Sequence, residues 1–442
     1  MGPGRGIVAP NTTLKEIRML TAHDNEFLCR VGPGAAMGNL LRRFWMPALI
    51  STEVPEPDCP PVRVRLLGED LVAWRNTDGS VGLMQNACPH RGASMFFGRN
   101  EENGLRCVYH GWKFDTEGQC VDMPNEPAES NFKHKIRAAA YPTEEAGGVV
   151  WAYMGPVETK PVLPRPEWTL VPAEQRVVSR YWQENNWVQG VEGGIDSSHV
   201  SFLHSSVESH RPVADAAQLE RSGLMAIDKA PEFRVATTDF GLMIGARRRV
   251  DETKDYWRVT PFSLPFYTVI PGLPERDTPF SGHGWVPMDD ENTWLLTYSW
   301  HPTRPMSDFG EKPGHGAHWV PMQPGTRKPR QSRDNDYEID REDQKHKTYT
   351  GITGVSIQDR GIQEMMGAIY ERTHEHLGSA DTAIIMMRRL LMRLARELEQ
   401  GVPPYAAQHG ELLTVRSAGF IAPAGAPFVE TSEPLVRAAT SR

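Results

Sequence analysis

Cys88-Pro89-His90-Arg91-Gly92 and, with fourteen residues between, Cys107-Val108-Tyr109-His110-Gly111 are the stretches on which the reading of this chain turns. Each is a clip of one thiol and one imidazole, C-x-H in the first and C-x-x-H in the second. A structural zinc site of two cysteines and two histidines runs Cys–Cys then His–His. The order here is Cys–His, Cys–His. That order suits a [2Fe–2S] cluster with two sulfurs on one iron and two neutral ring nitrogens on the other. Neutral imidazoles remove negative charge and raise the potential above that of an all-cysteine cluster. Gly92, Gly98, Gly104 and Gly111 surround the clips and let backbone N–H groups approach the sulfurs. Five cysteines are too few, and odd in number, for a disulfide scaffold. Cys29, Cys59 and Cys120 have no such partner nearby and read as buried thiols.

Outward from the clips, the pattern is that of short strands. Residues 62–66 alternate with period two, 70–74 follow, and Asn76-Thr77-Asp78-Gly79 makes a turn. Residues 149–153 read as the last strand of a small antiparallel domain. Before it, 38–45 carries a short amphipathic helical pattern. After it, four prolines within 155–166 mark a stiff linker. The expected division is an N-terminal segment over 1–40, a β domain over 41–156, a linker over 157–168, a second domain over 169–400 and a peripheral tail over 401–442. Within the second domain, 241–246 and 294–298 read as strands. Residues 303–345, rich in Pro, Gly and charge, read as a long surface loop or lid. Residues 381–400 give the clearest helix, with Asp381 as N-cap and Gly401 as stop.

Composition bounds the partners. The net charge of −8 over 442 residues offers no general attraction to nucleic acid or to an anionic membrane. No apolar run approaches the roughly 20 residues of a bilayer span, and 1–10 lack a signal-peptide core. The expectation is a cytoplasmic protein. No glycine-rich dinucleotide fingerprint is present, so a nicotinamide cofactor is not expected to bind this chain.

A second ligand set lies in Asn186-Trp187-Val188-Gln189, continuing through Asp196-Ser197-Ser198-His199 to His204. A mononuclear iron that activates O2 is held by two histidines and one carboxylate, with the opposite positions open. His199 and His204 can supply the imidazoles. Their spacing of five rotates by about 140° on a straight helix, so they converge only if the helix ends or distorts between them. Asp196 shares a face with His199. The carboxylate ligand can be Asp359, Asp334, Asp336, Asp340 or Asp381, and spacing does not choose among them.

Taken together, these motifs resemble the Rieske non-haem iron aromatic-ring oxygenases, and most closely their phthalate dioxygenase branch. Arg30-Val31-Gly32-Pro33-Gly34, Met37 to Pro47, Gln358-Asp359, Gln363 to Gly367 and Glu375 to Asp381 add to the likeness. The resemblance implies an α+β fold, with an N-terminal Rieske β domain and a C-terminal, helix-flanked antiparallel sheet domain of helix-grip type. It implies Cys88, His90, Cys107 and His110 as ligands of a Rieske [2Fe–2S] cluster. It implies His199, His204 and Asp359 as ligands of a mononuclear Fe(II). Asp196 is implied as the carboxylate bridging a cluster histidine of one subunit to an iron histidine of the next, in a homotrimer or stacked trimers. A separate flavin and iron–sulfur reductase would supply electrons, and O2 and an aromatic substrate, such as a phthalate, would be the reactants. Members usually carry Glu-Asn where this chain has Glu192-Gly193-Gly194. Asn186 and Gln189 could line the site instead.

The same centres could serve an aryl-ether O-demethylase or a diaryl-ether dioxygenase. A Rieske electron carrier would need only the first 156 residues, leaving the second ligand set without a role. A carboxylate substrate calls for arginine. Arg247, Arg248 and Arg249 end a strand-like run. Alternation turns either Arg248 alone or the other two inward. Arg211, beside His210, is the second candidate.

Overall fold

The computed structural model describes residues 20–207, 228–271, 277–311 and 318–437. Two helices open it, α1 (Ala22–Cys29) and α2 (Ala36–Leu41). The helical pattern expected over 38–45 stops early, because Trp45 already begins strand β1 (Trp45–Ile50). Then come β2 (Val62–Leu66), β3 (Glu69–Arg75) and β4 (Val81–Gln85), followed by four very short strands. These are β5 (Arg99–Asn100), β6 (Leu105–Arg106), β7 (Lys113–Phe114) and β8 (Cys120–Asp122). β9 (Thr143–Ala146) and β10 (Val149–Tyr153) close the domain, β10 pairing back onto β1. The result is three small antiparallel sheets, β1-β10-β9, β2-β3-β4 and β5 to β8.

The second domain is one antiparallel sheet. Its strands are β11 (Arg176–Gln183), β12 (Glu232–Thr237), β13 (Gly241–Arg249), β14 (Lys254–Ser263), β15 (Tyr267–Ile270), β16 (Phe280–Pro287) and β17 (Thr293–Trp300). They lie in the order β11-β17-β16-β15-β14-β13-β12. A further strand, β18 (Ala418–Pro423), pairs with the first half of β14. The segment 401–442 was expected to be peripheral. Instead it supplies this strand, because β15 pairs only with the far end of β14 and leaves the near half an open edge.

Among the helices beside the sheet are α3 (Trp187–Ile195), α4 (Val355–Met365) and α5 (Thr382–Glu399). α5 buries Ala383, Met387, Leu390, Leu391, Leu394 and Ala395, one stripe at helical spacing. That stripe packs over β12 and β13, and α2 packs on α5. α3 lies on β16. β17 is buried along its whole length. The linker is held between domains: Trp168 stacks 6.0 Å from Trp151 of β10 and 4.9 Å from Tyr298 of β17.

The fold is thus α+β, a small β domain ahead of an antiparallel sheet with helices. Residues 303–311 and 318–345, the described part of that expected loop, are less loop-like than expected. They form a short helix over Arg341–His346 and bury Val320, Gln331, Ser332 and Tyr337. No helix among the described residues is long and apolar enough to cross a membrane.

Candidate metal centres

The two clips adopt the same turn. In the first, Cys88 N–H donates to Ala93 O and Gly92 N–H to Cys88 O. In the second, Cys107 N–H donates to Trp112 O and Gly111 N–H to Cys107 O. Each turn needs its glycine, with φ of 76° at Gly92 and 81° at Gly111. The turns bury both thiols in a small core and bring the imidazoles together near the surface, His90 Nδ1 lying 3.1 Å from His110 Nδ1. Burial foremost, with the neighbouring Cys107, pushes the Cys88 thiol up to about 11. Such a thiol ligates only where a cationic metal offsets its charge. Trp112 stacks on His90 at 4.4 Å, and Tyr109 packs on His110 at 3.9 Å.

Among the described residues, one set of three His, Cys, Asp or Glu ligand atoms lies within 4.8 Å of one another, and it is His199, His204 and Asp359. No three of the four clip ligand atoms lie within that distance of one another. A single tetrahedral zinc would draw its ligands closer than that, whereas a two-iron cluster with sulfurs on one iron and nitrogens on the other spreads them.

The second set forms where α3 stops. Asp196 ends the helix, and its carboxylate accepts from Ser198 N (2.6 Å) and His199 N (3.3 Å). The chain then turns through a short 3-10 segment, His199–Ser201. This break lets residues five apart converge: His199 Nε2 and His204 Nε2 are 3.2 Å apart. Asp359, on α4, brings Oδ1 to 3.2 Å from His204 Nε2 and 3.5 Å from His199 Nε2. Both far ring nitrogens are held. His199 Nδ1 meets Asp196 Oδ2 at 3.3 Å, and His204 Nδ1 meets Gln358 Oε1 at 2.7 Å. Such outer partners fix the tautomer and leave Nε2 for a metal. The donor set fits an iron held on one face. Asp334, Asp336 and Asp340 lie exposed elsewhere, and Asp340 caps the helix that follows it. Asp381 accepts from Gly378 N rather than capping α5 with its side chain.

The trio opens onto a cavity of about 240 Å³. Val200, Ile270, Trp285 and Leu295 give it apolar walls, and Gln183, Arg258, Thr260, His283 and His318 give it polar ones. Gly193 faces Gln363, whose Nε2 would stand 2.4 Å from an added Cβ, and Gln363 accepts a hydrogen bond from Gln183. That glutamine pair occupies the space beside the glycine.

Three sequence-level expectations change here. Arg248 does face the interior, but it donates to Ser197 O (2.8 Å) and Asp228 O (3.1 Å) and does not line the cavity. It holds the turn between Asp196 and His199. Burial, then the charge of Arg258, lowers its pKa to about 10. Asn186 caps α3 and donates to Cys29 O and Asp290 O. Gln189 donates to Gln363 O and Gly367 O. Both serve the backbone behind the cavity. Arg211 lies outside the described residues.

Arg258, His283, His318 and the role of Gln358 escaped the sequence reading. One signal was available for Arg258, a cation set between the apolar residues Trp257 and Val259.

Residues 44–142 match the family described as Rieske [2Fe-2S] domain, and residues 152–423 match the one described as LigXa C-terminal domain like. The 3-chlorobenzoate-3,4-dioxygenase oxygenase subunit of Comamonas testosteroni is 38% identical over 424 residues, 92% of this chain and 96% of its own. The phthalate 4,5-dioxygenase oxygenase subunit of Pseudomonas putida is 39% identical over 394 residues, 87% of this chain and 88% of its own. Among solved structures, dicamba monooxygenase bound to dicamba superposes with a TM-score of 0.57 at 18% identity, covering 82% of this chain and 99% of that one, a likeness of fold. The protein carries a Rieske [2Fe–2S] cluster and a mononuclear iron. With both domains matched and full-length relatives of this kind, the chain belongs to the Rieske non-haem iron aromatic oxygenases, on the phthalate dioxygenase branch, as an oxygenase subunit.

Proposed function

We propose that this protein oxidises an aromatic carboxylate with O2, using electrons that a separate flavin and iron–sulfur reductase draws from NAD(P)H in the cytoplasm. In this reading Cys88, His90, Cys107 and His110 hold the cluster, and His199, His204 and Asp359 hold the ferrous iron. The observation that carries it is the convergence of two imidazoles and a carboxylate on the wall of a ring-sized cavity. When bound, the two centres supply stepwise electron delivery and the reduction of O2. A ring dihydroxylation takes up both oxygen atoms with two electrons and two protons.

The side chains do the rest. Asp196 and Gln358 keep the two imidazoles turned toward the metal. Trp285 and Leu295 hold a ring and exclude water. Arg258, a half-buried side chain on the cavity wall, offers the charge a buried carboxylate needs. The two relatives described above are named for ring carboxylates, which supports that substrate class.

The assembly we propose is a head-to-tail ring of three copies, alone or stacked. The cluster of one copy serves the iron of the next, through His110 and Asp196 of the partner subunit. Exposed apolar side chains at both ends support it: Phe97, Val108 and Tyr109 around the clips, and Phe202, Tyr349 and Ile362 around the iron trio.

The substrate class is tested with holoenzyme, reductase, isotopically labelled O2 and a panel of ring carboxylates. Arg258→Leu should raise KM for the acids by about 10- to 100-fold, roughly 1.4–2.8 kcal/mol of binding. The loss should be absent for a neutral ring of the same shape. Equal losses for acid and neutral analogue would sink the carboxylate reading.

A further inference from the structure

We propose that His283 is a specificity-determining residue of this cavity, taking an uncharged oxygen substituent on the substrate ring, such as a hydroxyl, ether or carbonyl group. The inference rests on the reading of the cavity as the substrate site.

His283 stands on β16 and is 7% exposed. It lines the cavity, and its Nε2 is buried without a hydrogen-bond partner. Buried polar atoms in folded proteins are overwhelmingly paired, so an unpaired nitrogen on an imidazole that lines a binding cavity marks a candidate partner for a ligand atom. The neighbouring imidazole is already engaged. His318 packs edge-on to His283 at 4.5 Å between ring centres, with its own nitrogens 3.5 Å from Ser281 Oγ and 3.4 Å from Ser356 Oγ. On its other side His283 meets Trp285 edge-on at 5.2 Å. Trp285 is itself pressed against α3, where an added Cβ at Gly190 or Gly194 would stand 2.0 Å from its ring. The imidazole is therefore held by rigid neighbours and lines the cavity with its Nε2 unpaired.

The group it would meet is neutral. Burial, then the neighbouring His318, holds His283 well below its ordinary pKa, and burial brings His318 to about 4. An uncharged imidazole suits a hydroxyl or carbonyl oxygen, not a second carboxylate.

The distances allow one ring to reach both ends. Phe262 of β14 pairs with Thr268, which pairs with His283. Arg258 is four residues from Phe262 on the same face, so its Cα is about 17 Å from that of His283 at ordinary strand spacings. The extended arginine and the imidazole narrow that gap to the span of a substituted ring. A cavity of about 240 Å³ has room for it, since ~150 Å³ suffices for benzene.

The test is calorimetric titration of the holoenzyme with benzoate, 3-hydroxybenzoate and 4-hydroxybenzoate, and with toluene and phenol. At least one hydroxybenzoate should bind about tenfold more tightly than benzoate, the worth of one satisfied buried hydrogen bond. In His283→Leu that ratio should fall to near one, and in His283→Gln part of it should return. His283→Phe is the second variant if Leu leaves the chain unstable, with thermal unfolding and the visible spectrum of the cluster as controls. A ratio that survives in His283→Leu or Phe, or is absent from the wild type, overturns the proposal. Failure of the carboxylate reading is seen separately, as benzoate binding that Arg258→Leu does not weaken. In that event the phenol-to-toluene ratio decides the role of His283 alone: lost with His283→Leu it stands, kept it falls.

Discussion

Gln358 precedes Asp359 on α4, and its amide works in both directions. Its oxygen meets His204 Nδ1 at 2.7 Å, and its nitrogen donates to Ile352 O at 2.8 Å. The backbone thus fixes the amide, and the amide fixes the imidazole. Gln358→Leu should weaken mononuclear iron binding by about 10- to 100-fold while leaving the cluster in place. Iron content after dialysis against a graded chelator, read beside the cluster absorbance, checks this. Loss of both centres together would mean that the glutamine matters to the fold and not to the ligand. The clips were legible from sequence because each is local: one cysteine, one histidine and one glycine within five residues make the whole turn. Asp359 could not be chosen by spacing, since α4 reaches the histidines only through tertiary packing. Arg258 and His283 were hidden for a related reason. The strands that carry them mix polar with apolar residues on both faces, and local sequence does not say which residue meets a cavity.

At the scale of elements, α3 carries the ligand turn and is a poor helix by composition. Gly190, Gly193 and Gly194 each cost up to about 1 kcal/mol relative to alanine. Two of them make room for Trp285. The helix is held instead by Glu192, which pairs with Arg372 at 2.9 Å and with Arg388 of α5 at 2.7 Å. Burial alone would raise the Glu192 carboxyl. The two guanidinium charges and their hydrogen bonds outweigh burial and hold it below its ordinary value. A carboxylate depressed in the folded state adds stability above its unfolded pKa of about 4.3, and that stability is lost as pH falls through the folded value. Glu192→Gln should therefore cost about 3–5 kcal/mol near neutral pH, because it leaves buried guanidinium charge uncompensated. It should also flatten the loss of stability below about pH 4. Denaturant unfolding across pH measures both, and a variant as stable as wild type at pH 7 would refute the role. The strands named from sequence were readable as alternating or apolar runs, such as 62–66 and 294–298, and α5 by its helical spacing. β18 was not, being six residues that end in proline and owe their place to the half of β14 left unpaired by β15.

At the scale of the whole molecule, the question is which cluster feeds which iron. The proposed route leaves His110 of one copy and enters Asp196 of the partner subunit. Asp196 touches His199 within its own chain, so it is placed to bridge a histidine from outside to an iron histidine without being an iron ligand. Co-expression separates the two arrangements. A Cys107→Ser chain should lack the cluster but keep the iron, and an Asp359→Ala chain should lack the iron but keep the cluster. Each alone should be inactive. Purified through two different tags, mixed assemblies hold both. In a head-to-tail trimer with either composition, an intact cluster faces the intact iron of the following copy at one junction of three, so turnover should return to about a third of wild type. If electrons instead pass within one chain, no chain in the mixture owns both centres, and the mixed assemblies stay inactive. Adding Asp196→Asn to the chain that retains iron should abolish the recovered turnover while iron content holds. Recovery that persists with that substitution would leave the transfer between subunits standing and remove Asp196 from its path.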